Sequence, residues 1–249
     1  MPQPDLPEIA RSPQMTTQEY AYGRLRNAIL LGVLPPGTAL TFRGLAERMG
    51  LSPTPIREAV RRLSSESAIE VLGNRRLRIP EMTRGRFEEL VRLRIALETH
   101  AAARAFPWLS DVAIARMAEL DDRMDAALEG CDLDGLTRLN QQFHKALYGL
   151  NPDQAAIPLI ESVWLQLGPF QRRAIEHLEE IGLADHHKQM LAAMRARDLD
   201  ALCTAIEGDV QNGSVRVGLR LLADAGGSGL GGAASAACRP SRRRGAGQG

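Results

Sequence analysis

Residues 52–63 read SPTPIREAVRRL, a segment that opens with two prolines and carries three arginines. Proline suits the first turn of a helix, because the amide it lacks has no intrahelical partner there and its fixed φ is already helical. Pro53 and Pro55 therefore mark a helix start with Ser52 at the N-cap, and they stiffen the turn in front of it. Thr54 and Arg57 fall in the first turns of that helix, held at a set angle. Such rigidity fits a helix end that has to enter a groove.

Upstream, apolar residues recur at helical spacing from Gln18 to Leu31 until the breaker GVLPPG. Thr41 is the expected N-cap of a short helix, FRGLAERM, which ends at Gly50, a natural left-handed C′ position. Downstream, AIEVLGNRRLRIP has β-branched residues on both sides of Gly73-Asn74 and reads as a basic hairpin. Helix, short helix, tight turn, basic helix and hairpin together predict a winged helix-turn-helix. From Arg84 to about Asp224 the chain carries no strand signals. Helices are expected over 84–105, 110–129, 133–149, 153–176 with an interruption near Gly168-Pro169, 182–197 and 199–223. The fold class is thus mainly α, an N-terminal winged helix-turn-helix followed by an all-α bundle of six to seven helices. The expected divisions are a disordered arm (1–15), the winged helix-turn-helix (16–80), the all-α bundle (81–224) and a disordered tail (225–249).

Charge is segregated along the chain. Residues 16–80 hold ten Arg/Lys against five Asp/Glu, and residues 81–225 hold sixteen against twenty-three, so only the first part is built to meet a polyanion. No apolar run has the length of a membrane span, and residues 1–15 lack the pattern of a signal peptide, so a cytoplasmic location is expected. Cys131, Cys203 and Cys238 are odd in number and lack metal-type spacing, which fits free thiols in a reducing compartment.

The run from Gly32 through the hairpin to Pro80 resembles the DNA-binding domain of the GntR superfamily of bacterial transcription regulators. The helical remainder is similar to the FCD effector-binding domain of the FadR-type branch, with EELVRLRIALE and the later pairing of QQFHKAL with HHKQMLAAMRARD carrying the likeness. This resemblance implies a repressor or activator, not an enzyme, that binds an operator in double-stranded DNA as a homodimer and responds to a small metabolite. It puts the DNA contacts at Arg43, Thr54, Arg57 and, in the wing, Arg75. Arginine can bond guanine O6 and N7 together, whereas hydroxyls and helix N-termini hold phosphate. Arg61 and Arg62 are expected to face phosphate or Glu58 and Glu66. Many relatives have arginine where Pro53 stands and glycine near Arg76, so the operator need not match the common one.

In the bundle, Asn140 and His144 are four residues apart on one helix face. His187 precedes Asp198 by eleven residues and Asp209 follows it by eleven, so an antiparallel turn at Asp198 brings the pair level, each about 16 Å from the turn. Two imidazoles, a carboxylate and an amide oxygen then converge. In metal-binding FCD domains the matching positions usually supply one Asp and three His. Here Asn140 stands for the aspartate and Asp209 for the last histidine. Two readings remain open: a divalent site for zinc, nickel, manganese or iron, or hydrogen-bonded polar residues lining a cavity. An open position on such a metal would attract an organic or sugar acid. Arg94 is the candidate second anchor for that acid, or else a helical ion-pair partner of Glu98. His144, His187 and Asp209 also spell the two-His-one-carboxylate set of iron oxygenases, but no barrel, nucleophile-base pair or phosphate loop accompanies them. A DNA-binding protein whose bundle only dimerises is the other alternative.

Overall fold

Each of the first two helices is opened by a threonine. Thr16 and Glu19 form a reciprocal capping box at α1 (Thr17–Leu30), and the Thr41 hydroxyl accepts from the Gly44 amide at α2 (Phe42–Met49). Gly50 closes α2 in the left-handed conformation, with φ 63°. Ser52 occupies the N-cap of α3 (Pro53–Ser65) as expected, yet its side chain makes no capping hydrogen bond; the two prolines leave fewer amides to cap. The computed structural model describes residues 5–73, 76–175 and 186–227.

The hairpin is present as β2 (Glu70–Val71) and β3 (Arg76–Arg78). A strand that sequence patterning did not reveal, β1 (Ala39–Thr41), completes a three-stranded antiparallel sheet in the order β1-β3-β2. Leu40 pairs with Leu77, and both are buried against the helices. Strands of two and three residues carry too little alternation to be read without their partners.

Seven further helices follow among the described residues: α4 (Arg84–Ala105), α5 (Asp111–Glu129), α6 (Leu133–Tyr148), α7 (Ile157–Ile175), α8 (His186–Ala196), α9 (Leu199–Val210) and α10 (Arg216–Gly227). Their ranges track the expected segments closely, with three differences. The interruption expected at Gly168-Pro169 is absent, and α7 runs through Pro169. Leu165, Leu167 and Phe170 are buried around it, and burial on that scale outweighs the roughly 3 kcal/mol cost of an interior proline. The last expected helix is opened by a π turn, Gln211–Val215, between α9 and α10. Finally, α10 extends to Gly227, into the start of the expected disordered tail.

The N-terminal arm also departs from expectation. Over 5–15 it holds no helix or strand, but Leu6 is buried and its carbonyl accepts from the buried Arg24 guanidinium at 2.8 Å. Of the cysteines, Cys203 is a free thiol and Cys131 is disulfide-bonded, contrary to the expected free thiols; Cys238 lies outside the described residues. No helix among the described residues is long and apolar enough to cross a membrane.

The winged part and the bundle meet along α7. Arg26 on α1 pairs with Glu161 at 3.2 Å, the Ser162 hydroxyl bonds the Glu66 carbonyl, and Arg86 reaches both the Ser67 carbonyl and Gln166. A Cβ at Gly168 would stand 2.8 Å from the Leu30 Cα and carbonyl oxygen, so glycine permits this close approach of α7 to α1.

Candidate functional sites

The first site is the solvent face of α2 and α3. Arg43, Thr54 and Arg57 are all exposed on it. Arg43 is bonded to Glu47 at 2.7 Å, and the Arg57 guanidinium lies over the Phe42 ring, 5.0 Å from its centroid. Arg61 pairs with Glu58 and Arg62 with Glu66, the partners read from helical spacing. Arg62 also covers the Tyr22 ring at 3.8 Å. In the wing, Arg76 is exposed and Arg78 is tied to Glu70 across the strands at 2.7 Å. Arg75 lies outside the described residues.

The second site is a buried polar cluster inside the bundle. Arg197, with φ 56°, ends the turn after α8, and Asp198 caps α9 by accepting from the Ala201 amide. The two helices thus run back antiparallel and bring His187 level with Asp209. With His144 from α6 they offer one ligand atom each, all within 4.8 Å of one another. Asn140 lies one turn before His144, and its side-chain oxygen is buried without a hydrogen-bond partner.

Around these four sits a network that sequence reading did not single out. Glu98, fully buried on α4, accepts from Arg94 Nε at 2.5 Å, from Trp164 Nε1 at 2.7 Å and from the Tyr148 hydroxyl at 2.7 Å. Burial alone would raise the Glu98 carboxyl, but the Arg94 guanidinium, His144 and the Tyr148 bond outweigh it and hold it below the usual range. It is therefore an acceptor only. Tyr148 spends its single proton on Glu98, so the contact between its oxygen and His144 Nδ1, at 3.0 Å, needs the imidazole to donate. When neutral, His144 is then the Nδ1–H tautomer, with its lone pair on Nε2.

That lone pair faces Asp209. His144 Nε2 lies 3.4 Å from Asp209 Oδ2 and makes no hydrogen bond. Burial works against ionisation of Asp209, yet the imidazoles, when protonated, and the Arg94 guanidinium keep its carboxyl below the ordinary range. With His144 neutral, two electron-rich atoms point at one volume, an arrangement that either a proton or a metal cation between them relieves. The donor set fits a borderline divalent ion, with imidazole and carboxylate as ligands and an outer layer that orients one of the imidazoles. Of its two expected parts Arg94 takes the helical ion pair, with Glu98, and its terminal nitrogen is 3.9 Å from Asp209 Oδ2, bordering the cluster. The remaining histidines fall elsewhere. His186 is a satisfied core residue, bonded to Gln189 at 3.1 Å and Asn212 at 3.0 Å; His100 is exposed; His177 lies outside the described residues.

Comparison with known proteins bears on both halves. Residues 17–79 match bacterial regulatory proteins of the gntR family, and residues 89–212 match the FCD domain. The chain is 31% identical over 177 residues to the HTH-type transcriptional regulator McbR of Escherichia coli (strain K12), covering 70% of this chain and 80% of that protein. The chain belongs to the GntR family. Within it, the solved structure of E. coli McbR/YncC superposes with a TM-score of 0.71 at 26% identity, covering 85% of this chain and 97% of that one. The transcriptional repressor RspR of the same organism is 23% identical over 205 residues, or 82% of this chain and 90% of RspR. The gluconate operon transcriptional repressor of Bacillus licheniformis is 24% identical over 190 residues, or 73% and 77%.

These GntR-family proteins are DNA-binding transcriptional regulators and not enzymes, and so is this chain. Glu98, Tyr148 and Trp164 were missed because the sequence signal for each is weak. Glu98 reads as a partner of Arg94 on one helix. Tyr148 lies at i+4 from His144, a spacing that could have drawn attention to it.

Proposed function

We propose that this regulator is a repressor that binds its operator as a homodimer and lets go when a small organic or sugar acid occupies the bundle beside a divalent metal. The observation that carries the ligand half is the convergence of His144 Nε2, His187 and Asp209 within 4.8 Å, with the His144 tautomer set by Tyr148 and Glu98. His144, His187 and Asp209 would hold the ion, and the Asn140 side-chain oxygen is placed one turn away to join them. Bound there, the metal would supply a Lewis-acid position for a carboxylate. Arg94 would clamp that carboxylate, since its guanidinium borders the cluster. A relative named for a gluconate operon favours a sugar acid within that class.

On the DNA side, Arg57 would read base edges, while Arg43, Thr54 and the wing arginine Arg75 would hold phosphate and register. Two recognition helices in a dimer must meet half-sites about one DNA turn apart, so a ligand that alters their spacing alters affinity. The region around Met82 to Phe87 carries that change together with α7, because Arg86 bonds Gln166 as well as the Ser67 carbonyl. Acting on chromosomal DNA, the protein would work in the cytoplasm.

The test has two arms. Purified protein is assayed for bound zinc, nickel, manganese and iron, then titrated onto fragments of its own promoter region with and without metal and a panel of organic and sugar acids. The proposal expects near-stoichiometric metal and one acid class that weakens the shift. Metal-free protein that cannot be loaded would leave the hydrogen-bonded cavity as the better account, and DNA affinity indifferent to every acid would favour a bundle that only dimerises.

A further inference from the structure

Four arginines line the exposed side of α2 and α3, and three of them are already engaged along their edges by carboxylates. Arg43 donates to Glu47, Arg61 to Glu58 and Arg62 to Glu66. Arg57 is different: among the described residues it forms no ion pair, and its close partner is the face of Phe42 at 5.0 Å. The distinction matters chemically. A carboxylate occupies in-plane N–H donors and cancels the charge, whereas stacking on a ring uses the guanidinium face and leaves all five donors free.

Neighbouring side chains cannot take over its part. Pro53 carries no donor and Thr54 only a hydroxyl, so Arg57 is the one long donor in the first turns of α3. Phe42 and Arg57 together border an open cleft of about 660 Å³, also lined by Leu51, Pro53 and Arg43. An exposed arginine without a partner samples many rotamers. A stack of this kind favours the stacked ones by a factor of about two to five.

We propose that Phe42 is a specificity-determining positioning residue: its ring holds the Arg57 guanidinium in the pose from which Arg57 reads a guanine, without touching DNA bases itself. This rests on the reading of Arg57 as the base-contacting residue. Phe42 is half-buried at the start of α2, behind the Thr41 cap, so the platform is fixed to the frame and not to α3. Recognition therefore depends on two helices keeping their mutual angle, which the Pro53–Pro55 turn secures.

The experiment uses the full chain and the tightest duplex it selects from a random library. Each guanine is replaced in turn by 7-deazaguanine, which lacks the N7 acceptor, and affinities are read by fluorescence anisotropy at fixed salt. The native protein should lose about fivefold or more at one guanine, the range of a bidentate contact. Arg57→Ala should not sense that change. Phe42→Leu should respond to it by less than about twofold while keeping native affinity for random duplex, and Phe42→Tyr, which retains the ring face, should respond like the native protein. Native sensitivity in Phe42→Leu, or lost sensitivity in Phe42→Tyr, overturns the assignment of Phe42. Full sensitivity in Arg57→Ala overturns the reading of Arg57 itself, and with it the basis of the inference.

Discussion

Tyr148→Phe isolates the outer layer of the buried cluster, because it removes one oxygen and keeps the ring. That oxygen donates to Glu98 at 2.7 Å and accepts from His144 Nδ1 at 3.0 Å, so its loss leaves one buried donor and one lone pair of a carboxylate without their partner. Each orphaned buried group costs about 1–3 kcal/mol. Partial relief is built in: Glu98 keeps Arg94 and Trp164, and His144 Nδ1 already stands 3.6 Å from Glu98 Oε2, close enough to shift toward it. Unfolding of the metal-free protein in urea should therefore lose about 1–3 kcal/mol in total, nearer one orphan than two. The effect on metal is separate. Drawn toward Glu98, the imidazole no longer aims Nε2 at the cluster as before, and loss of such an outer hydrogen bond typically weakens metal binding by about 10–100-fold. Zinc affinity is measured by competition with a chromogenic chelator, beside Asp209→Asn as a variant that removes a ligand charge outright. Zinc affinity within twofold of native, in a protein that has lost stability as expected, would refute the tautomer argument while sparing the packing.

Gly168→Ala should destabilise the fold by about 1–3 kcal/mol, because the new methyl meets Leu30 backbone atoms that cannot rotate away; calorimetry should show a lower Tm with no loss of zinc binding. Thr16→Ala should cost about 1 kcal/mol at neutral pH through the lost cap. The Glu19 carboxyl is held below its ordinary value by the Thr16 amide and hydroxyl, so the box stabilises above the ordinary carboxylate range and fades as pH falls through the lowered folded value; urea titrations should show the gap between the two proteins narrowing in acid without closing, because the hydroxyl still caps the Glu19 amide. Arg86→Ala removes the bonds to Ser67 and Gln166, and gel shifts should show operator binding that no longer responds to the acid even though metal affinity is native. Arg75→Ala should weaken every duplex alike and lower the slope of log K against log salt by about one.

Much of this architecture was legible because its signals are local. The cap at Thr41, the glycine at 50 and the paired prolines each act within one turn, and the bundle helices announce themselves by apolar period. The convergence of His187 with Asp209 was legible for a geometric reason, since equal arms about a tight turn must meet. What escaped depends on long-range packing. β1 is a strand only because β3 lies beside it, α7 survives Pro169 only because its neighbours bury it, and the arm is anchored in part by a buried arginine that sequence places on α1. Glu98 escaped for another reason. On paper it is one more surface-type acid at helical spacing from an arginine, and only Tyr148 and Trp164, fifty and sixty-six residues away, make it the centre of a network.

That network also bears on how the two halves could communicate. Trp164 bonds the Glu98 carboxylate from α7, while Glu161, Ser162 and Gln166 on the same helix hold Arg26, the Glu66 carbonyl and Arg86. The contacts on the ligand side and those on the winged side are thus at most three residues apart along one rigid element. A shift of Trp164 by a fraction of an ångström needs no chain of intermediates to reach α1 and the end of α3, because a helix transmits displacement along its length without deforming. Gly168 sharpens the point: its missing side chain lets α7 lie directly on the backbone of α1, where there is no flexible group to absorb the motion. A linker alone would be a soft coupling. A helix pinned at the buried carboxylate on one face and at three polar contacts on the other is a stiff one, able to carry a displacement at the cluster to the winged part.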